Sequence, residues 1–231
     1  MIARIFAVIA VVLFAVLLYP LLAQFSEREN ADGVSEYYLD NAADETGTAN
    51  IVTSIVVSYR GFDTLGEVAV LFLAAAGVGI VLKQERAKDR ENPRRQEASE
   101  IVKTGAGFLF PLLLLFGVYI FAHGHLTPGG GFQGGVVIAT AVSLLFISGL
   151  SGGAKDRLLR FVESVSGLAY LGLAIAGLFL AGGFLDNRIL PLGTVGKLFS
   201  AGAIPVIYVF VGLKVGAELT GIVRKLKGGS K

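Results

Sequence analysis

The 231-residue chain contains no cysteine and few charged residues, and each shortage excludes a class of protein. Without cysteine there are no disulfides, no cysteine-ligated iron–sulfur clusters and no thiolate chemistry. Charged residues make up 16% of the chain, against about a quarter in globular proteins, while 54% is hydrophobic. The net charge of +2 gives no basic footprint for binding nucleic acid. These values indicate an all-α integral membrane protein.

Long apolar runs predict about six transmembrane helices. Each is close to the ~20 residues that span the ~30 Å hydrocarbon layer. Residues 51–59 are apolar but too short to span, so we expect a short interfacial helix there. The first run also resembles a secretory signal, but it exceeds the usual core of about 7–15 residues. The predicted spans are 5–22, the run that follows Arg60 and ends at Leu82, 105–122, 131–150, 161–185 and 198–223.

Polar segments divide the chain into modules. Residues 24–48 are acidic and predict a loop outside the membrane, either a solvated connector or an attractor of cations. Residues 83–103 carry seven Lys or Arg residues together with Pro93. We therefore predict a two-helix module at 1–90, a charged cytoplasmic linker at 91–100 and a four-helix module at 101–231.

The distribution of Lys and Arg predicts the orientation in the cell membrane. With the N-terminus inside, 15 of the 20 basic residues fall in cytoplasmic segments and three fall outside. Arg60 and Lys214 lie in or at spans. We therefore expect a multi-pass protein with both termini in the cytoplasm.

Ionisable residues within spans are the first candidate site, because an unpaired charge in a bilayer costs ~2.5 kcal/mol or more. Asp63 and Glu67 share one helical face, with Arg60 one turn before Asp63. Two carboxylates so close do not both ionise easily in a low dielectric, which suits a proton or Na⁺ relay. The alternative is an Arg60–Asp63 bridge that merely closes the start of the helix.

A second ionisable group lies in the last span. Lys214 and Glu218 are four residues apart, and Glu163 enters the preceding span from the same side. A Lys–Glu pair can relay protons, but a static pair whose lysine reaches toward the interface explains the pattern equally well.

A glycine-dense connector, residues 123–135, separates two apolar runs. Its His123 and His125 are too few for a zinc site, so we predict no metal and expect His125 to titrate or hydrogen-bond at a helix mouth. Small residues continue from this connector at four-residue steps and predict a seam for close helix packing. The seam consists of Gly131, Gly135, Ala139 and Ser143.

The segment Gly-His-Leu-Thr-Pro-Gly-Gly-Gly-Phe-Gln-Gly-Gly at 124–135 strongly resembles the signature of the B subunit of multi-subunit Mrp-type Na⁺/H⁺ antiporters. That resemblance covers about 101–231. Separately, residues 60–67 resemble the C-terminal region of the large A subunit of these antiporters, which also exists as a small subunit of membrane-bound hydrogenases. The second resemblance covers about 1–83, so the chain is similar to a fusion of two modules.

The resemblance implies a subunit of a multi-subunit monovalent cation (Na⁺)/proton antiporter, with other subunits, Na⁺, H⁺ and the lipid bilayer as partners. It places Asp63 and Glu67 on an ion path and implies no enzymatic activity and no cofactor. Two alternatives remain open: the equivalent subunit of a hydrogenase-type redox complex, and a non-conducting structural scaffold.

Overall fold

The structure is a computed structural model that describes residues 2–23, 31–88, 98–150 and 156–226. These residues form helices and turns without any strand, which confirms the all-α class. Most of the predicted linker, residues 91–97, lies outside the described residues, as do residues 24–30 of the acidic segment.

Eight α-helices lie within these ranges. A π-helical turn, Ser54–Tyr59, continues α3, and a 3-10 turn lies at Asn187–Ile189. The helices are α1 (Ile2–Ala23), α2 (Val34–Thr46), α3 (Ile51–Thr53), α4 (Gly61–Lys88), α5 (Glu100–Ala122), α6 (Gly131–Ser148), α7 (Asp156–Leu180) and α8 (Ile204–Leu226).

Five of these helices are long and apolar enough to cross a membrane, and a shorter apolar stretch, Arg4–Pro20, lies in α1. The five candidate spans are Gly61–Leu82, Glu100–Ala122, Gly131–Ser148, Arg157–Leu180 and Ile204–Leu226. The short helix expected at residues 51–59 is present as α3 and the π-helical turn.

The chain divides into two compact units, Met1–Tyr37 and Tyr38–Lys231. The first contains α1, whose apolar side chains are exposed, and the beginning of α2. In the second unit α8 is the central helix, and it packs against α4, α5, α6 and α7. Of its apolar window 56% is buried, against at most 33% in the other candidate spans. Polar residues on α8 are therefore the best shielded within this unit.

The acidic segment predicted as a loop contains a helix, α2, so that expectation was wrong for Val34–Thr46. The many acidic residues indicated a loop, but one face of the helix packs inward, where Ala42 and Thr46 are buried. The ring of Tyr38 stacks on Tyr59, with 4.6 Å between the ring centroids. Tertiary packing of this face stabilises a helix that composition alone disfavours.

Two helix ends also differ from the predicted spans. The backbone turns at Leu185 (φ 58°), five residues after α7 has ended at Leu180. Before α8, Ala201 and Gly202 adopt φ values of 67° and 56°, so the helix starts at Ile204 rather than residue 198. Both turns are apolar, so the predicted spans extended into them. Hydropathy does not detect a reversal of the backbone.

Candidate functional site

Lys214 and Glu218 form a buried ion pair near the middle of α8. The Lys214 Nζ lies 3.5 Å from the Glu218 Oε2, and the two side chains are 11% and 1% exposed. That distance is longer than the ~2.7–2.9 Å of a good charge-assisted bond. Neither carboxylate oxygen has a hydrogen-bond partner among the described residues. The carboxylate is thus held in a low-dielectric environment, and its nearest cation, Lys214, is loosely placed.

Two other helices, α4 and α7, lie against this pair. The ammonium of Lys214 lies 5.3 Å from the ring centroid of Phe72 on α4, a cation–π contact. On α7, a side-chain carbon added to Gly167 would lie 3.3 Å from the Lys214 Cδ. The half-buried Glu163 of α7 interacts electrostatically with Glu218. The pair is therefore enclosed by α4 and α7, with a second carboxylate nearby.

The other predicted acids lie on the exposed side of α4. The Arg60 Nη2 lies 2.5 Å from the Asp63 Oδ2, and both side chains are more than half exposed. Glu67, one turn further along, is also exposed on the surface of this chain. It interacts electrostatically with Tyr170, a buried residue of α7. The expected Arg60–Asp63 bridge is therefore present, and Glu67 lies apart from it, toward α7.

The glycine-dense connector is fastened to α3 through its backbone carbonyls. The His125 carbonyl accepts hydrogen bonds from the backbone N–H groups of Ala49 and Asn50, each at 3.1 Å. The Asn50 Nδ2 also donates to the carbonyls of Gly124 and Thr127, both at 2.9 Å. We call the connector and these α3 contacts the outer latch.

Thr53 completes the outer latch. Its Oγ1 donates to the Gly124 carbonyl at 2.6 Å and accepts a 2.8 Å hydrogen bond from the Tyr208 hydroxyl of α8. Glycine is required at position 124, because a Cβ there would lie 2.7 Å from the Tyr208 ring. The latch therefore joins three segments that are distant in sequence.

His125 is fully buried in the outer latch. Its Nε2 lies 3.1 Å from the Leu198 carbonyl oxygen, so this nitrogen carries the proton in the neutral ring. The Nδ1 has no partner among the described residues. Burial lowers the pKa of His125, against the raising effect of the Leu198 and Lys197 carbonyls. The histidine is thus held as a neutral hydrogen-bond donor.

A second polar cluster, absent from the sequence predictions, lies beside the latch. The hydroxyls of Thr46, Thr48 and Ser54 are buried and hydrogen-bonded to one another. Asn187 donates to the Thr46 carbonyl at 2.7 Å and to the Ala201 carbonyl at 3.1 Å. These bonds fix the turn before α8, since each satisfies a buried backbone group.

An open cleft of about 360 Å³ lies next to this cluster. Its charged groups are paired: Tyr59 donates to a Glu45 carboxylate oxygen at 2.5 Å, and Arg188 bridges to Asp186. The Arg188 guanidinium holds the pKa of Asp186 below its usual range. Within the described residues, no group of three or more His, Asp or Glu side chains is placed to hold a metal ion.

The predicted seam residues lie along α6. A Cβ on Gly135 would approach the Gly212 carbonyl oxygen to 2.7 Å, and one on Gly131 would lie 2.9 Å from a carbonyl oxygen of α8. Ala139 is buried, whereas Ser143 is only half-buried. The backbones of α6 and α8 thus approach as closely as glycine permits.

Gly134, which the predicted seam omitted, faces α5 instead. A Cβ at this position would lie 2.6 Å from the Gly117 carbonyl oxygen. Steps of four residues select a single helix face, so the predicted seam did not include Gly134. Gly134 and Gly135 therefore let α6 pack closely on two neighbours.

Comparison with known proteins gives two matches that meet between α4 and α5. Residues 101–221 match the family described as a domain related to the MnhB subunit of Na⁺/H⁺ antiporters. Residues 2–97 match the MbhE family, described as the E subunit of MBH. The two ranges follow one another with three residues between them.

Three similar proteins are membrane-complex chains. The A/B subunit of a probable K⁺/H⁺ antiporter of Rhizobium meliloti is 29% identical over 57% of this chain and 15% of its own length. A chain of the archaeal membrane-bound sulfane sulfur reductase is 41% identical, with a TM-score of 0.79 and 98% of both chains covered. A chain of the Mrp complex from Dietzia sp. is 27% identical, with a TM-score of 0.72.

The chain spans only part of two of these proteins. It covers 15% of the Rhizobium protein and 26% of the Dietzia chain, although 97% of this chain is aligned in the latter. The first family match covers more than half of the chain and includes the outer-latch connector, α8 as far as residue 221 and the Lys214–Glu218 pair. The chain therefore belongs to the family of domains related to the MnhB subunit of Na⁺/H⁺ antiporters, preceded by a segment that matches the MbhE family.

Proposed function

We propose that this chain is a membrane subunit of a multi-subunit Na⁺/H⁺ antiporter and contributes titratable groups to its ion path. The observation that carries the proposal is the Lys214–Glu218 pair inside the central helix of the second unit. Desolvating two charges costs several kcal/mol each, and loose pairing at 3.5 Å recovers little of it. A static helix contact is better made by apolar side chains, so the pair supports a role in proton or cation movement.

The exposed acids of α4 support a partner subunit. Asp63 and Glu67 lie on a surface that also presents Phe62, Val70 and Leu73. A carboxylate exposed within a span faces protein or water rather than lipid, because hydrocarbon does not solvate it. We therefore infer that another subunit covers this face and continues the ion path from Glu67.

The orientation and the modules are part of the proposal. Charge asymmetry supports cytoplasmic termini in the cell membrane, with the outer latch on the opposite side. The two family matches, 2–97 and 101–221, support a two-helix module at 1–90, a linker at 91–100 and a four-helix module at 101–231. In the second unit α4 packs against α8, so the two helical modules are in contact.

A redox-driven complex is the second candidate. It is favoured by the 41% identity over 98% of the chain to a chain of the sulfane sulfur reductase complex. In such a complex this chain performs the same ion movement, driven by electron transfer in other subunits. Affinity purification of the tagged chain separates the two cases: antiporter subunits alone support the first, and iron–sulfur subunits support the second.

The ion-path role is tested by Glu218→Gln in the full complex, with Glu100→Gln as the matched control. Both changes remove one carboxylate, but Glu100 is exposed at the start of α5, where it pairs with Lys103. Everted membrane vesicles report Na⁺-dependent pH recovery, with the amount of each subunit measured by blotting. We expect exchange per complex to fall at least about tenfold in Glu218→Gln and to persist in Glu100→Gln. Wild-type exchange in Glu218→Gln would favour the non-conducting scaffold.

A further inference from the structure

Tyr170 of α7 is a buried polar residue that the sequence predictions did not include. It is 2% exposed, and its ring belongs to the core formed with α8. Its hydroxyl has no hydrogen-bond partner among the described residues. An unsatisfied buried hydroxyl costs about 1–3 kcal/mol, and phenylalanine would fill the same space without that cost. The hydroxyl therefore needs an explanation other than packing.

Titratable groups lie on both sides of this hydroxyl. On one side, Tyr170 interacts electrostatically with Glu67 of α4. On the other, Gly167 lies one turn away on the same face of α7 and packs against the Lys214 side chain. Lys214 is in turn paired with Glu218. Tyr170 thus lies between the outer acid of α4 and the buried pair of α8.

The depth of these groups follows from the helix directions. Lys214 and Lys225 of α8 contact Phe72 and Gly79 of α4 in the same order, so these two helices run in parallel. The turn after α7 meets the start of α4, where Leu185 lies against Gly61, so α7 runs in the opposite direction.

Depth is counted along each helix from its end nearest the latch, at a rise of 1.5 Å per residue. On this scale Glu67 lies at a depth of ~9 Å, Tyr170 and Lys214 lie at ~15 Å, and Glu218 lies at ~21 Å. Glu163 of α7 follows at ~25 Å on the same scale. The groups therefore descend in order across the unit. Tyr170 is the buried hydroxyl of the described part of α7 that lies between the levels of Glu67 and Glu218. The buried Ser166 lies at ~21 Å, level with Glu218, and its hydroxyl donates to the Val162 carbonyl of its own helix.

We propose that the Tyr170 hydroxyl is the proton-transfer link between Glu67 and the Lys214–Glu218 pair. The inference rests on the proposed ion-path function and deepens it. In the inward step, a proton leaves the Glu67 carboxylic acid for the hydroxyl oxygen, while the hydroxyl's own proton passes through water toward the Glu218 carboxylate. One O–H bond breaks and one forms at Tyr170, which ends as the neutral phenol.

Tyr170→Phe in the full complex is the direct test, because it removes the hydroxyl and keeps the ring. Tyr208→Phe is the matched control, since it removes a buried tyrosine hydroxyl that is bonded to Thr53 in the outer latch. Na⁺-dependent pH recovery in everted vesicles is normalised to assembled complex. We expect at least about a tenfold loss in Tyr170→Phe and exchange within about twofold of wild type in Tyr208→Phe.

The outcomes separate this inference from the function on which it rests. Wild-type exchange in Tyr170→Phe, together with loss in Glu218→Gln, overturns the link and leaves the ion path in place. Wild-type exchange in both variants overturns both.

If Tyr170→Phe does not assemble, fluorotyrosine at position 170 supplies a second test, because fluorine makes the phenol more acidic with little change in size. A shifted pH profile of exchange supports the link, and an unchanged profile overturns it.

Discussion

The Thr53 hydroxyl donates a 2.6 Å hydrogen bond to the Gly124 carbonyl, although the two residues are 71 positions apart in the chain. The same hydroxyl accepts from Tyr208. One side chain therefore joins the short helix that precedes α4, the glycine-dense connector and the central helix. This arrangement gives the connector a structural role: its glycines admit close contacts, and its carbonyls act as acceptors.

Thr53→Val is expected to destabilise the chain by about 1–3 kcal/mol, because the buried Tyr208 hydroxyl loses its partner. The Gly124 carbonyl loses one of its two donors and keeps the bond from Asn50. Thr140→Val is the control, since the exposed Thr140 hydroxyl donates to the Val136 carbonyl of its own helix and joins no distant segments. Thermal unfolding of the purified complex in detergent measures the difference. Equal melting temperatures for the two variants would contradict a stabilising role for the latch.

Gly135→Leu is expected to prevent close packing of α6 on α8, because the new side chain meets the Gly212 carbonyl and Val215. Overpacking of this kind typically costs about 1–3 kcal/mol or more. Gly105→Leu is the control, since no atom lies within 4 Å of a Cβ at that position. We expect Gly135→Leu to lower the amount of assembled complex on native gels and Gly105→Leu to preserve it. Normal assembly of Gly135→Leu would show that the helices can separate there without consequence.

The burial of His125 predicts that the outer latch loses stability in acid. Since burial lowers its pKa, the folded chain favours the neutral ring, whereas the unfolded chain takes up a proton near the ordinary value of 6.5. The contribution of His125 to the free energy of unfolding is therefore complete above pH 6.5, and it is lost as the pH falls toward the lowered pKa. We expect the melting temperature to fall between about pH 7 and pH 5.

His125→Gln is expected to flatten this pH dependence, although it lowers the overall stability. His123→Gln serves as the control, because the half-buried His123 ring stacks on Tyr119 outside the buried part of the latch. A wild-type pH profile in His125→Gln would assign the acid sensitivity to other groups.

The orientation is tested in the cysteine-free background of the chain. Ser99→Cys and Asp40→Cys, both at exposed positions, are treated with a membrane-impermeant thiol reagent in intact cells. We expect Asp40→Cys to be labelled and Ser99→Cys to react only after the membrane is opened. The reverse pattern would invert the proposed topology.

The sequence predicts features that depend on local pattern. Apolar runs identify the spanning helices, and the spacing of Lys214 and Glu218 places both on one face of α8. It does not reveal contacts to backbone carbonyls far along the chain. Asn50, Thr53 and Asn187 are ordinary polar residues until folding brings their acceptors close.

Tyr170 and α2 were missed for a related reason. In sequence, Tyr170 resembles an aromatic residue of an apolar helix, and only the fold shows that its hydroxyl is buried without a partner among the described residues. The buried face of α2 consists of small residues among acids, so composition suggests a loop. In both cases tertiary packing, rather than local propensity, determines the outcome.

Exchange by Glu67→Gln tests the central claim, that this chain contributes protonatable groups to an ion path. Glutamine has about the same size as glutamate and also forms hydrogen bonds, but it cannot take up or release a proton. We expect normal assembly and at least about a tenfold loss of Na⁺-dependent pH recovery in everted vesicles, with partial function in Glu67→Asp. Arg60→Ala should have a smaller effect, because Arg60 is exposed and bridges Asp63. Wild-type exchange by assembled Glu67→Gln complex across the neutral pH range would contradict the account and favour a scaffold.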